Sequence, residues 1–272
     1  MLIVRQGFSS DRLGPPAPET FRNIRRVVST VAFVMKYEII PRYLTGPSQR
    51  RPKTALARCR FMVAHDTGNP GSTAAANVSY FENTRNEMSS SAHLFVDDKQ
   101  IIECIPFLTG PAEIAYHVVY NVTTDNARYG DDANDAAGAV ELCYGGRISL
   151  TESYKRYVWV LAYACYRYGL NPATDIVGHY MLDPARRSDP QEPLRLLGKT
   201  FQSFVQDVVN EYRASLVTEP APEPQTRISA EDANKIIGFL SASYFTAEDQ
   251  AAKAEFHRLA NELRRISGQP PQ

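Results

Sequence analysis

The sequence predicts an α/β protein, a central mixed β-sheet flanked by helices, followed by a small all-α module at the C-terminus. Three observations lead there. Between residues 60 and 213, short apolar runs alternate with segments of helical periodicity, and such alternation implies helices packed on the faces of a sheet. Pro220, Pro222 and Pro224 then stand among Ala, Glu and Thr, a spacing that no helix continues through and that holds the backbone extended. Beyond them, two further stretches carry apolar residues at helical spacing.

In chain order, residues 1–34 show no clear periodicity and include Gly14-Pro15-Pro16-Ala17-Pro18. They read as an unstructured extension ahead of a start at Met35. The apolar run Val27 to Met35 follows Arg25 and Arg26, but no small-residue cleavage site comes after it, so export by the general secretory route is not expected. Residues 36–60 are basic, with Lys36, Arg42, Arg50, Arg51, Lys53, Arg58 and Arg60 against Glu38. They suggest either a solvated lead-in or an arm that meets an anionic cell-wall polymer.

Phe61 to Ala64 reads as a buried strand and Ser72 to Met88 as a helix. Ala92 to Val96 and Ile101 to Ile105, joined by Asp97-Asp98-Lys99-Gln100, read as a hairpin. Gly138 to Tyr144 is a further strand. Ser149 and Glu152 form a capping-box pattern ahead of a helix that carries Val158, Leu161, Ala162 and Cys165 and stops at Gly169. Ile176-Val177 is a brief strand ending at Gly178-His179, and Phe201, Phe204, Val205, Val208 and Tyr212 lie on one face of a long helix. The expected organisation is an extension over 1–34, an α/β domain over 35–213, a linker over 214–228 and a helical module over 229–272. In the module Ser229 and Thr246 are candidate N-caps. About forty residues bury little surface, so the module is expected to form homo-oligomers or to pack on another surface.

Lys+Arg and Asp+Glu both number 30, so net charge offers no argument for a nucleic-acid partner. No apolar run is long enough to span a membrane. Cys59, Cys104, Cys143 and Cys165 lie in apolar contexts and read as buried free thiols. Asp125, Asp131, Asp132 and Asp135 read as a solvated acidic loop.

Of the five histidines, His65, His93, His117 and His179 fall in the α/β block. His179 opens a turn-rich loop that brings Asp189 back ten positions later. An imidazole and a carboxylate are both ligands for a divalent metal, and His65, at the end of the first buried strand, is the natural third. The alternative for the same loop is a salt-bridged surface turn, with Asp183 or Asp189 pairing with Arg186 or Arg187.

The motifs together resemble the zinc-dependent N-acetylmuramoyl-L-alanine amidases of type 2, a peptidoglycan-recognition-protein-like family. The resemblance is carried by Ala64-His65-Asp66-Thr67-Gly68, Ser91-Ala92-His93, Ile105-Pro106 with Ala115-Tyr116-His117, Val140-Glu141-Leu142-Cys143, and Gly178-His179 with Arg187-Ser188-Asp189-Pro190. It implies one zinc ion held by His65, His179 and Asp189, with Glu141 as the catalytic carboxylate. Arg187 stands where the family usually has Lys. It keeps the positive charge for an oxyanion but cannot donate a proton. Tyr116 replaces the family's Trp. By the same resemblance Tyr116 contacts substrate, and His93 and His117 contact substrate or support the metal ligands, with a purely structural role as the alternative.

The implied reaction is hydrolysis of the amide between N-acetylmuramic acid and L-alanine in peptidoglycan. The C-terminal stretch resembles a helical module of endolysins from phages of Bacillus-type hosts, which implies cell-wall binding. The expected setting is therefore a phage endolysin, made in the host cytoplasm without a signal peptide and released to the wall by a holin. The competing readings are a non-catalytic peptidoglycan-binding relative and a cytoplasmic amidase that recycles anhydro-muropeptides.

Overall fold

The structure is a computed structural model that describes residues 31–218 and 228–272. Two compact units are distinguished, Val31–Thr218 and a second that includes residues 228–272. The first runs β1 (Val31–Phe33), β2 (Ile39–Pro41), β3 (Phe61–Asp66), α1 (Ala74–Asn83), β4 (Leu94–Val96), β5 (Ile101–Glu103), α2 (Thr124–Tyr129), α3 (Ala133–Ala136), β6 (Ala137–Leu142), α4 (Leu150–Tyr168), β7 (Ile176–Gly178), α5 (His179–Leu182), α6 (Gln191–Leu196), α7 (Phe201–Ser215) and β8 (Leu216–Thr218). The second holds α8 (Ala230–Thr246) and α9 (Gln250–Ile266). No helix among the described residues is long and apolar enough to cross a membrane.

A six-stranded sheet has the order β2-β5-β4-β6-β3-β7. Only β4 and β5 pair antiparallel; the other neighbours are parallel. The sheet is thus mixed and flanked by helices, as the sequence predicts. β3 pairs on both sides, and Phe61, Met62, Val63 and Ala64 are all fully buried, the unbroken apolar run expected of an internal parallel strand. On one face Met62, Leu94 and Val140 share a core with Tyr157 and Leu161 of α4 and Phe204 and Val208 of α7. On the other, Phe95, Ile102 and Ala139 pack with Ala74 and Val78 of α1. The hairpin turn is tied by Asp97, whose Oδ1 accepts from the amides of Lys99 and Gln100 and whose Oδ2 accepts from Ala74 at the start of α1. All four cysteines are buried free thiols.

Several local expectations are corrected. Residues 31–34 are not part of an extension. β1 pairs antiparallel with β8, Phe33 is buried, and the Trp159 indole donates to Val34 O at 3.2 Å. For the same reason residues 214–218 finish α7 and form β8 rather than beginning a linker. Residues 1–30 and 219–227, which hold the rest of both segments, lie outside the described residues. Ser149 caps α4 without a side-chain hydrogen bond. Its expected partner Glu152 is held instead by Lys155 at 2.7 Å. Thr246 ends α8, and Asp249 caps α9 by accepting from Ala251 and Ala252.

The basic lead-in is solvated only in part: Lys36, Arg42, Lys53 and Arg58 are exposed, while Arg50 and Arg51 are packed into the unit. Arg50 is fully buried, stacked 4.2 Å over Phe81 and bonded to Thr84 and Ser90. Arg51 makes a bidentate pair with Glu113 at 2.7 and 2.8 Å, and Lys36 and Arg60 pair with Glu211 and Asp131.

In the second unit Ser229 Oγ accepts from Asp232 N at 3.0 Å to begin α8. Ala233, Ile237 and Ala260 are buried, while Phe239 and Phe245 remain 75% and 82% exposed.

Gly138 is required by close approach. A Cβ there would stand 2.3 Å from Phe107 Cζ and 2.6 Å from Met62 Cε. Gly138→Ala is expected to destabilise the first unit by about 1–3 kcal/mol through overpacking. Denaturant unfolding checks this, and an unchanged midpoint would contradict it.

Candidate metal centre

Parallel pairing builds the site. β3 lies between β6 and β7, with His65 opposite Glu141 and Ala64 opposite Gly178. His179 follows Gly178 directly, so it leaves the sheet beside His65. Residues in register on neighbouring strands point to the same face, about 4.8 Å apart. Glu141, His65 and His179 therefore form a row across the C-terminal ends of three strands. The Tyr157 hydroxyl of α4 donates to His65 O at 3.0 Å and holds the end of β3 in place.

Asp189 returns on the loop after α5. In that loop Asp183 accepts from the Arg186 guanidinium at 2.9 Å, so the surface ion pair forms without engaging Asp189. Asp189 Oδ2 lies 2.8 Å from His65 Nδ1 and 3.1 Å from His179 Nδ1. Ligand atoms around a tetrahedral zinc with bonds of 2.0–2.1 Å stand about 3.3 Å apart, close to this spacing. His179 Nε2 is buried with no hydrogen-bond partner among the described residues. His65, His179 and Asp189 thus form a group able to hold a metal ion. A two-imidazole, one-carboxylate set leaves a fourth position open, the arrangement of catalytic rather than structural zinc sites.

The electrostatics fit a cation. Burial acts to raise Asp189, but neighbouring imidazoles, His179 foremost, outweigh it and hold the carboxyl below its ordinary range. Burial lowers His65 to about 4, which favours the neutral, ligating form. Burial, with Asp189 and Asp66 beside it, pushes Glu141 well above the usual carboxylate range. Its Oε2 is buried and has no partner among the described residues. A bound cation would reverse that shift.

A cleft of about 900 Å³ opens over this row, and His117, Tyr116 and Arg187 line it. Arg187 makes no side-chain hydrogen bond or ion pair among the described residues, yet its charge acts to lower both His65 and Glu141. His93 does not line the cleft, so its expected contact with substrate is corrected. It is fully buried, with Nε2 donating to Glu113 O at 2.9 Å and Nδ1 accepting from Ala139 N at 3.0 Å. Both ring nitrogens serve the backbone. The acidic segment is not a solvated loop either. Asp125 is buried and accepts from Ala133 N at 3.0 Å, and Asp132 caps α3. Sequence reasoning missed a polar wall of the cleft made by Ser89, Ser90 and Ser91 with Ser48 and Gln49. The serine run was its visible signal.

Two outcomes are expected. His179→Ala and Asp189→Ala should each weaken divalent-metal binding about tenfold or more, while His93→Gln retains it; metal content after dialysis checks this, and wild-type loading in either ligand variant would contradict it. The second concerns pH. Burial lowers His93 from 6.5 to about 4, so its neutral form stabilises the fold fully above pH 6.5, and that contribution is lost as pH falls towards 4. Because glutamine does not titrate, the advantage in Tm of wild type over His93→Gln should shrink between pH 7 and pH 4. A constant gap would contradict the assignment.

The sequence profile of the N-acetylmuramoyl-L-alanine amidase family matches residues 55–192. The chain is 31% identical over 147 residues to the N-acetylmuramoyl-L-alanine amidase BlyA of Bacillus subtilis (strain 168), covering 51% of this chain and 38% of that protein. It is 30% identical over 148 residues to the N-acetylmuramoyl-L-alanine amidase CwlL of Bacillus licheniformis, covering 53% and 39%. The chain therefore spans about two-fifths of the length of these relatives. In structure it resembles the Staphylococcus aureus hydrolase AmiA solved in complex with its ligand, with a TM-score of 0.52, 22% identity and coverage of 66% of this chain and 85% of that one. That likeness carries the fold. The profile match takes in just over half of the 272 residues, and the chain belongs to the N-acetylmuramoyl-L-alanine amidase family.

Proposed function

We propose that the 31–218 unit is a zinc-dependent amidase that cleaves the bond between N-acetylmuramic acid and L-alanine in peptidoglycan. The observation that carries this reading is the convergence of His65, His179 and Asp189 beside Glu141 on the floor of one open cleft. His65, His179 and Asp189 would hold the metal. Zinc, when bound, supplies Lewis acidity, polarising a carbonyl and acidifying water.

The chain's own residues do the rest. Glu141 Oε2, unpartnered beside the ligands, takes the proton of the attacking water and passes it to the departing L-alanine amine. Arg187, exposed on the loop of Asp189, turns its charge towards the oxygen that becomes anionic. It assists by charge alone, since a guanidinium does not release its proton near neutrality. Tyr116 and the serine wall offer an aromatic face and hydroxyls to a glycan and peptide chain, and His117 acts from beneath the metal position.

In the wider reading the protein is a phage endolysin of a Bacillus-type host, held in the cytoplasm until a holin releases it to the wall. The segment after Thr218 tethers the helical unit over 229–272, which engages the wall or a second copy. The exposed Phe239 and Phe245 of α8 support a partner there. A tether of this kind raises the local concentration of the catalytic unit on an insoluble polymer.

Purified peptidoglycan treated with the full chain should lose turbidity and yield peptides with new free L-alanine amino termini by mass spectrometry. Release of reducing sugars with no new amino termini would overturn the reading. Glu141→Gln should keep its zinc and lose hydrolysis by about 10²–10⁴-fold. Arg187→Lys should stay near wild type and Arg187→Ala fall about 10²–10³-fold. An active Glu141→Gln enzyme would remove the proton-transfer assignment.

A further inference from the structure

We infer that His117 is a positioning residue that fixes the tautomer of His65 and so directs the His65 Nδ1 lone pair at the metal position. The inference rests on the metal reading above and assigns His117 a role other than substrate contact.

His117 Nε2 lies 3.2 Å from Ala133 O. A carbonyl oxygen only accepts, so His117 Nε2 carries the hydrogen. A neutral imidazole has one N–H, which leaves His117 Nδ1 as an acceptor. His65 Nε2 stands 3.1 Å from that Nδ1 and must donate to it. His65 then carries its hydrogen on Nε2, and Nδ1 is bare. That bare nitrogen faces Asp189 Oδ2 at 2.8 Å. Two lone pairs that close repel each other unless a cation joins them. The hydrogen a histidine gives away on one nitrogen decides which other nitrogen ligates, and here the choice passes through two rings.

The acceptor at the start of this relay is itself held. Asp125 Oδ2 accepts from Ala133 N at 3.0 Å, and Asp132 Oδ1 accepts from Asn134 N at 2.9 Å. Asn134 Oδ1 then accepts from the amides of His117 and Val118 at 2.8 and 3.0 Å, and Asn134 Nδ2 donates to Val118 O at 2.6 Å. The acidic segment before β6 is thus a cradle. It fixes both the backbone of His117 and the carbonyl that orients its ring.

The test uses the full chain labelled with ¹⁵N-histidine and freed of metal. Nitrogen–proton correlation spectra should show His65 protonated on Nε2 in the wild type and on Nδ1, donating to Asp189, in His117→Ala. Zinc affinity, measured by competition with a chromophoric chelator, should fall about 10–100-fold in His117→Ala. It should recover towards wild type in His117→Asn, whose Oδ1 takes the place of the ring Nδ1 as acceptor. A purely structural role would not separate Asn from Ala in this way. Wild-type His65 protonated on Nδ1 overturns the inference even if His117→Ala fails to fold, as does wild-type zinc affinity in a folded His117→Ala. Failure of the metal reading looks different: the wild type then binds no zinc while His65 still carries its hydrogen on Nε2.

Discussion

One carboxylate oxygen, Asp189 Oδ2, faces the Nδ1 atoms of both His65 and His179 at 2.8 and 3.1 Å, and the rest of the 31–218 unit is arranged to make that meeting possible. Two imidazoles must leave neighbouring strands at the same height. The parallel register of β3 with β6 and β7 brings this about, because parallel neighbours in register share a face. The carboxylate must then return from solvent on a loop whose other acid, Asp183, is already paired with Arg186. A one-residue slip of β7 against β3 would turn its side chains to the opposite face and leave Asp189 with one histidine.

A row of polar groups at the end of a buried sheet is costly, and its distribution is informative. His93 and His117 are both buried and both satisfied through the backbone. Glu141 Oε2 and His179 Nε2 are the exceptions, buried without partners among the described residues. Thr67 Oγ1, Tyr129 Oη and Ser153 Oγ are also buried without hydrogen-bond partners among the described residues, but Glu141 Oε2 and His179 Nε2 belong to the row that Asp189 completes, where chemistry can displace stability. The packing around them is conservative by comparison. α4 and α7 close one face of the sheet with a large aromatic and aliphatic core, and the Tyr157 hydroxyl reaches through to the carbonyl of His65.

Much of this was legible in the sequence, for identifiable reasons. β3 is an unbroken apolar run, the hairpin turn carries its Asp97, and Gly169 sits at φ +67 where a helix ends; each is a local signal. Strand-end histidines and a turn-rich loop with Asp189 suggested that His65, His179 and Asp189 meet, and the resemblance to the amidases singled them out; the three do converge. What escaped depends on partners far along the chain. His93 and His117 follow similar motifs, and only the packing of Glu113 and Ala139 against one and of Ala133 and His65 against the other separates a structural ring from a positioning one. Arg51 finds Glu113 across 62 positions, so a basic segment that looks solvated is half-buried. β1 and β8, three residues each, are too short for any periodicity. Ser149 and Glu152 have the spacing of a capping box, but Lys155 takes the Glu152 carboxylate.

The central claim is that two imidazoles and one carboxylate hold a zinc ion with a position open for water. X-ray absorption at the zinc edge of the zinc-loaded full chain tests it most directly. The expected spectrum has a four-coordinate nitrogen and oxygen shell at about 2.0–2.2 Å, with outer-shell scattering from two imidazole rings. A six-coordinate oxygen shell without imidazole scattering would contradict it.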